Sequence, residues 1–189
     1  MKTLTEKNYV KAAETMGCEV ALIKAVAEVE SRGAGFFETG EPKILFEAHW
    51  FSRFTKGIYD EEYPEISSPK WNRELYVGGE KEYNRLGIAI SLNKEAALKS
   101  ASWGKFQIMG FNHKLCGFED EQCFVDAMYD SELNHLLAFI KYCESRDLIK
   151  YLLDHNWAEF AKRYNGSGYK ENRYDEKLKT AYGKWISKE

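Results

Sequence analysis

Ala25-Val26-Ala27-Glu28-Val29-Glu30-Ser31-Arg32-Gly33 places an acidic residue on the apolar stripe of an amphipathic helix, just before the glycine that would end it. With Val26 as origin and about 100° per residue, Leu22 and Val29 fall at about −40° and −60°, while Glu30 and Ile23 fall at about +40° and +60°. Glu30 therefore points toward the core. Glu28 falls on the opposite side beside Lys24, where an ordinary solvated i,i+4 pair is expected. Burial disfavours a carboxylate and so does the negative end of the helix dipole, so both raise the pKa of Glu30. A glutamic acid still protonated near neutral pH is a general acid, the group that protonates a leaving oxygen in glycoside hydrolysis. From the helix alone the competing reading is a carboxylate at the stripe's edge that reaches water or Arg32, since ion pairs also perturb pKa values.

Outward from this helix the chain is mostly helical. Thr5 to Met16 reads as a helix capped by Thr5 and stopped by Gly17, and Glu19 to Ser31 follows. Ile44-Leu45-Phe46-Glu47-Ala48-His49-Trp50-Phe51 reads as a short strand turning into a helix, and residues 55–79, with Pro64, Pro69 and three glycines, as a long irregular loop. Helices are expected over Lys81 to Ile90, Lys94 to Ser100, Asp120 to Ser145 as one central core helix, Asp147 to Leu153, Trp157 to Tyr164 and Glu171 to Ile186. Ser102 to Gly110 fits neither a clean helix nor a strand.

At 189 residues the chain is most simply one domain, 1–189, large enough for a core without disulfides or metal. Its 44% hydrophobic and 30% charged residues fit a folded chain and exclude disorder. Twelve Tyr and five Trp are potential stacking platforms for sugar rings or bases, although aromatics serve mostly in packing. The net charge of −3 is uneven: from Phe160 to Glu189 eight Lys/Arg stand against four Asp/Glu, which suits either a polyanion or a solvated helix face. No arginine-rich arm, zinc-finger spacing or RNA-binding signature is present, so no nucleic-acid partner is expected. Met1 to Lys7 lacks the apolar core and cleavage site of an export signal, and no apolar run approaches membrane-spanning length. Cys18, Cys116, Cys123 and Cys143 are accordingly read as reduced thiols, and His113, Cys116 and Cys123 as too loosely spaced for zinc.

Three separated signals share an order: Glu30-Ser31 at a helix end, Ser102-Trp103-Gly104-Lys105-Phe106-Gln107-Ile108 in the middle, and Arg163-Tyr164-Asn165-Gly166 near a later helix end. This order resembles the lysozyme-like superfamily, including goose-type lysozymes and soluble lytic transglycosylases. Val29-Glu30-Ser31-Arg32-Gly33-Ala34-Gly35-Phe36, Pro42-Lys43-Ile44-Leu45-Phe46-Glu47-Ala48-His49 and Ser102 to Gly110 resemble more closely the phage and prophage N-acetylmuramidases, over about Glu19 to Trp185.

The resemblance implies a mainly α (α+β), two-lobed lysozyme-like domain with a small β-element near residues 43–50, and no separate wall-binding domain. It implies a peptidoglycan hydrolase of the endolysin type that cuts the β-1,4 bond between N-acetylmuramic acid and N-acetylglucosamine, with Glu30 as the acid. Glu47 is the first candidate for a second carboxylate, facing the cleft while Phe46 packs, with His49 orienting it; Glu38 and Glu41 are alternatives. An ion pair of Glu47 with Lys43 or Arg53, or a contact with His49, is the competing reading. Ser31, Gln107, Tyr164 and Asn165 are implied substrate contacts, with Tyr164 as core and Asn165 as a helix cap on local signals alone. No cofactor is needed, because the bond requires only proton transfer and cation stabilisation. The expected partner is the peptidoglycan glycan strand and the expected state a monomer without membrane insertion, and the resemblance implies a chain held in the host cytoplasm until a membrane pore releases it to the wall. The rival readings are a lytic transglycosylase that makes 1,6-anhydro ends and a non-catalytic peptidoglycan-binding module.

Overall fold

The computed structural model describes residues 2–31 and 33–188. Arg32, and with it the expected ion pair to Glu30, lies outside the described residues. Helix α1 (Glu6–Met16) begins at Thr5, whose N–H donates to Asn8 Oδ1 at 2.9 Å, and ends at Gly17 in the left-handed conformation. Helix α2 (Val20–Glu30) buries Leu22, Ile23 and Val26 and stops where Ser31 turns extended. Strand β1 (Ile44–Phe46) runs straight into α3 (Ala48–Thr55), as the aromatic run predicts.

The long loop after α3 carries two 3₁₀ turns and is tied down by a buried ion pair in α4 (Glu82–Leu92). Glu82 accepts the N–H groups of Val77 and Gly78, each at 2.9 Å, and the Arg85 Nη1 donor, also at 2.9 Å. Arg85 in turn donates to Phe46 O at 3.0 Å and Glu65 O at 2.8 Å. The pair thus replaces with side-chain groups the backbone partners that an irregular loop cannot supply.

Helix α5 (Lys94–Lys99) leads into β2 (Ala101–Trp103) and β3 (Ile108–Met109). The segment that fitted neither helix nor strand is therefore a tight antiparallel hairpin. Its strands are too short to show alternation in sequence, and its turn requires positive φ at Gly104 (70°) and Gln107 (50°). The sheet order is β1-β2-β3, with Leu45 opposite Ser102 and Ser102 opposite Met109.

The expected single helix from Asp120 to Ser145 is two helices, α6 (Glu121–Asp130) and α7 (Glu132–Ser145). Ser131 is extended and caps α7 through its hydroxyl, while the Glu132 N–H donates to Lys2 O at 2.6 Å. The apolar stripe crosses this break without a change of period, so periodicity alone misses it. Helices α8 (Ile149–Leu153), α9 (Trp157–Asn165) and α10 (Tyr174–Ile186) complete the chain, and α10 lies along α2. That contact revises the expected Lys24–Glu28 pair. Glu28 binds Lys184 at 2.9 Å and Trp185 Nε1 at 2.8 Å, while Lys24 reaches Glu6 at 2.7 Å.

One apolar core joins these elements through Leu22, Val26, Phe46, Trp103, Phe139 and Phe160, all essentially inaccessible to water. The four cysteines are free thiols. Gly110, directly after β3, has its missing Cβ position 2.0 Å from Leu98 O, so Gly110→Ala is expected to destabilise the fold by about 3 kcal/mol. Gly183→Ala in α10, where the new methyl meets only open space, is expected to stabilise it by about 0.5–1 kcal/mol. Urea unfolding of both variants checks the pair.

Candidate active site

Glu30 ends α2 and is partly buried, at the wall of a cavity of about 350 Å³. The cavity is lined by Gln107 to Met109 of the hairpin, Tyr142 of α7, Tyr164 and Asn165 of α9 and Tyr174 of α10. Glu30 is the one carboxylate among the described residues that line it. Asn165 Nδ2 donates to Glu30 Oε1 at 3.2 Å, which leaves Oε2 to carry a proton. Burial pushes the pKa of Glu30 up to about 7, against the opposing pull of the Asn165 amide and the Lys177 ammonium. Desolvation wins, so near neutral pH both the acid and its conjugate base are populated. That is the condition for a group that gives up a proton in one step and recovers it in another.

Tyr164 lies both in the cavity wall and in the packing. Its ring meets Phe160 at 5.5 Å, Phe139 at 5.2 Å and Tyr142 at 6.0 Å, and burial holds its hydroxyl well above the usual tyrosine range. Tyr164 thus packs into the core and also lines the cavity of Glu30. Asn165 is likewise the last helical residue before Gly166 and the hydrogen-bond partner of Glu30.

The other expected contacts are distributed differently. Gln107 lies in the cavity wall, but its amide is already engaged: Oε1 accepts from Ser102 Oγ at 2.9 Å, and Nε2 donates to Gly104 O at 2.9 Å and Lys43 O at 3.1 Å. Two carbonyls facing Nε2 fix the orientation of the amide, and no amide hydrogen remains for a sugar. Gln107 therefore builds the hairpin turn and presents only its remaining acceptor capacity. Ser31 sits on a separate cavity of about 350 Å³, with Tyr9, Lys24 and Trp185, away from the one that Glu30 lines. It is adjacent to the acid in sequence, but the chain turns extended at Ser31 and carries it to another wall.

Glu47 stands at the N-cap position of α3, directly after β1, and is half-buried where its neighbour Phe46 is fully buried. It does not line the Glu30 cavity. Its Oε2 accepts the Tyr76 hydroxyl at 2.6 Å and lies 3.3 Å from His49 Nδ1. Tyr76 in turn accepts from Trp71 Nε1 at 2.7 Å, so Glu47 is braced by the long loop.

Two residues that the sequence did not single out organise the site from behind. Glu132 accepts the Gly35 N–H at 2.6 Å and the Leu4 N–H at 3.0 Å, and lies 3.5 Å from the Lys105 ammonium. His135 Nδ1 accepts the Lys105 N–H at 3.0 Å, and Nε2 meets Met128 O at 2.7 Å, which makes Nε2 the protonated nitrogen. Their partners are backbone groups about 100 and 30 residues upstream, which no local motif announces. Among the described residues no group of three or more His, Cys, Asp or Glu is arranged to hold a metal.

A family model for N-acetylmuramidase matches residues 19–186. The crystal structure of a Burkholderia AP3 phage endolysin superposes with a TM-score of 0.93 at 38% sequence identity, covering 98% of this chain and 73% of that one. No curated protein matches the chain.

The raised pKa of Glu30 has a consequence for stability. The folded protein keeps a proton up to about pH 7 that the unfolded chain gives up near the ordinary value of 4.5. The contribution is present in full below pH 4.5 and is lost as pH rises through 7. Relative to Glu30→Gln, the wild type is expected to lose about 2 to 3 kcal/mol between pH 4 and pH 8, the lower figure allowing for water that reaches the carboxylate. Urea unfolding of both proteins at the two pH values measures it, and a constant difference would contradict the assignment.

Proposed function

The chain belongs to the N-acetylmuramidase family and is a peptidoglycan hydrolase of the phage endolysin kind, and from this premise we propose that Glu30 is its general acid. The proton goes to the glycosidic oxygen between N-acetylmuramic acid and N-acetylglucosamine, so that the bond to the muramic anomeric carbon breaks as positive charge develops there. The single observation that carries this reading is the position of Glu30: a partly buried carboxyl, with pKa about 7, at the wall of an open cavity and oriented by Asn165. The wall aromatics Tyr142, Tyr164 and Tyr174 give the cavity apolar surface against which a pyranose ring can pack.

Glu47 is the proposed second carboxylate, activating water for hydrolysis. The presence of a single carboxylate in the Glu30 cavity favours a second reading, in which the muramic 6-hydroxyl attacks in place of water and leaves a 1,6-anhydro end. In that chemistry Glu30 takes the hydroxyl proton after donating its own, and Glu47 serves only as a brace for Tyr76. The protein acts as a monomer on glycan strands, without nucleic acid. The proposed route is a wait in the host cytoplasm for release to the wall; among the described residues no helix is long and apolar enough to cross a membrane.

Mass spectrometry of fragments from purified peptidoglycan tests the acid and the outcome together. Reducible N-acetylmuramic acid ends are expected from the wild type and a loss of at least about 10³-fold in Glu30→Gln. Anhydro ends would establish the second reading, and undiminished cleavage by Glu30→Gln would remove Glu30 from the mechanism. Glu47→Gln is expected to slow release of reducible ends by about 10²-fold or more if Glu47 activates water. Retention of the wild-type rate assigns it to bracing alone.

A further inference from the structure

Gln107 also lines a second cavity of about 310 Å³ and so is a wall shared with the cavity of Glu30. Its cationic residues are Lys43 and Lys105, and among the described residues no aspartate or glutamate lines it. The Lys105 ammonium is occupied, donating to Gly33 O at 2.7 Å with Glu132 at 3.5 Å. Lys43 differs. Its backbone is held at three points, with its N–H donating to Gly35 O at 2.8 Å and its carbonyl accepting from Gly104 N–H at 2.8 Å and Gln107 Nε2 at 3.1 Å. Its ammonium has no hydrogen bond or ion pair to any described residue, although the residue is partly buried. The Gly78 and Gly79 side of the cavity is open, for a methyl added at either glycine would meet no atom within 4 Å.

A cation whose backbone is fixed, in a groove that no described aspartate or glutamate lines and that shares Gln107 with the Glu30 cavity, is placed to receive an anion. An ammonium without a protein partner is free to form a charge-assisted hydrogen bond to a carboxylate of the substrate. The carboxylates that peptidoglycan carries lie on the stem peptides attached to its muramic residues. Chitin, with the same β-1,4 linkage, carries none. We infer that Lys43 reads a stem-peptide carboxylate next to the scissile bond, and so selects peptide-bearing glycan over uncharged glycan.

This rests on the cavity of Glu30 being the cutting site, and the test separates the two. Sacculi are prepared in native form and with their carboxylates converted to methylamides by carbodiimide and methylamine. Co-sedimentation at low ionic strength is measured in a Glu30→Gln background, which reports binding without cleavage. Native sacculi are expected to bind about tenfold more tightly than amidated ones, the effect of one charge-assisted contact. Lys43→Met is expected to bind both at the amidated level, and Lys43→Arg to keep the preference. Because all three fixed points of Lys43 are backbone groups, the variants should melt as the parent does. Equal binding of both sacculi by the parent would overturn the proposal. So would a preference that survives in Lys43→Met, or an equal loss on both substrates. Digestion in the Glu30→Gln background would count against Glu30 as the acid, while sedimentation over times too short to solubilise the sacculi would still decide Lys43.

Discussion

The walls of the cleft are held in register by two side chains in the first turn of α7. Glu132 accepts the N–H of Gly35 in the loop leaving α2, and His135 accepts the N–H of Lys105 in the hairpin turn. Both are buried, so their polar atoms need these partners, and the loop and hairpin gain the acceptors that irregular backbone lacks. The approach is close enough to dictate residue type. A Cβ at Gly35 would lie 2.7 Å from the His135 ring and one at Gly104 2.8 Å from it. Burial holds the pKa of His135 below its usual value, and only the neutral ring with a bare Nδ1 can accept from Lys105. The break at Ser131, which starts α7 where it does, sets the two side chains against the loop after α2 and the hairpin turn.

On this frame the acid of the site depends on a competition between two effects. Burial destabilises the ionised form of Glu30, while the Asn165 amide and the more distant Lys177 stabilise it. Burial is the larger effect, and the balance leaves a proton that is held near neutral pH and can still be given up there, whereas full exposure would release it before any leaving group needed it. The supporting aromatics do double duty here. Tyr164 closes the cavity and simultaneously joins the core stack with Phe139 and Phe160, so the wall is as rigid as the interior. On the other side, Glu82 and Arg85 bind the loop that carries Trp71 and Tyr76, and through Tyr76 they reach Glu47. A carboxylate held in this way is oriented, but part of its accepting capacity is already committed.

Much of the fold was legible in the chain. Thr5 and Gly17 bound α1, the apolar stripe of Leu22, Ile23 and Val26 faces the core, and Ile44 to Phe51 is a strand running into a helix. These are local facts, set by caps and by the 3.6-residue and 2-residue periods. The misreadings share one cause. The break at Ser131 and the hairpin at Ser102 to Gly110 depend on distant partners, Lys2 O for the Glu132 N–H and Lys43 O for the Gly104 N–H. Glu28 turned from Lys24 to Lys184 and Trp185 because α10 packs along α2.

The same division runs through the site. The sequence by itself determined that Glu30 faces inward at a helix end, because helical periodicity orients every residue of α2 at once, and the order of its motifs placed the chain in its family. Only the tertiary structure decided what each neighbour does there. Asn165 reaches Glu30 across 135 residues, Ser31 turns onto another wall, and Gln107 spends its amide on Lys43 and Gly104. A side chain's chemistry is carried by its residue type, but the atoms that desolvate it, bond it or leave it free come from remote segments, and these meet only when the core closes.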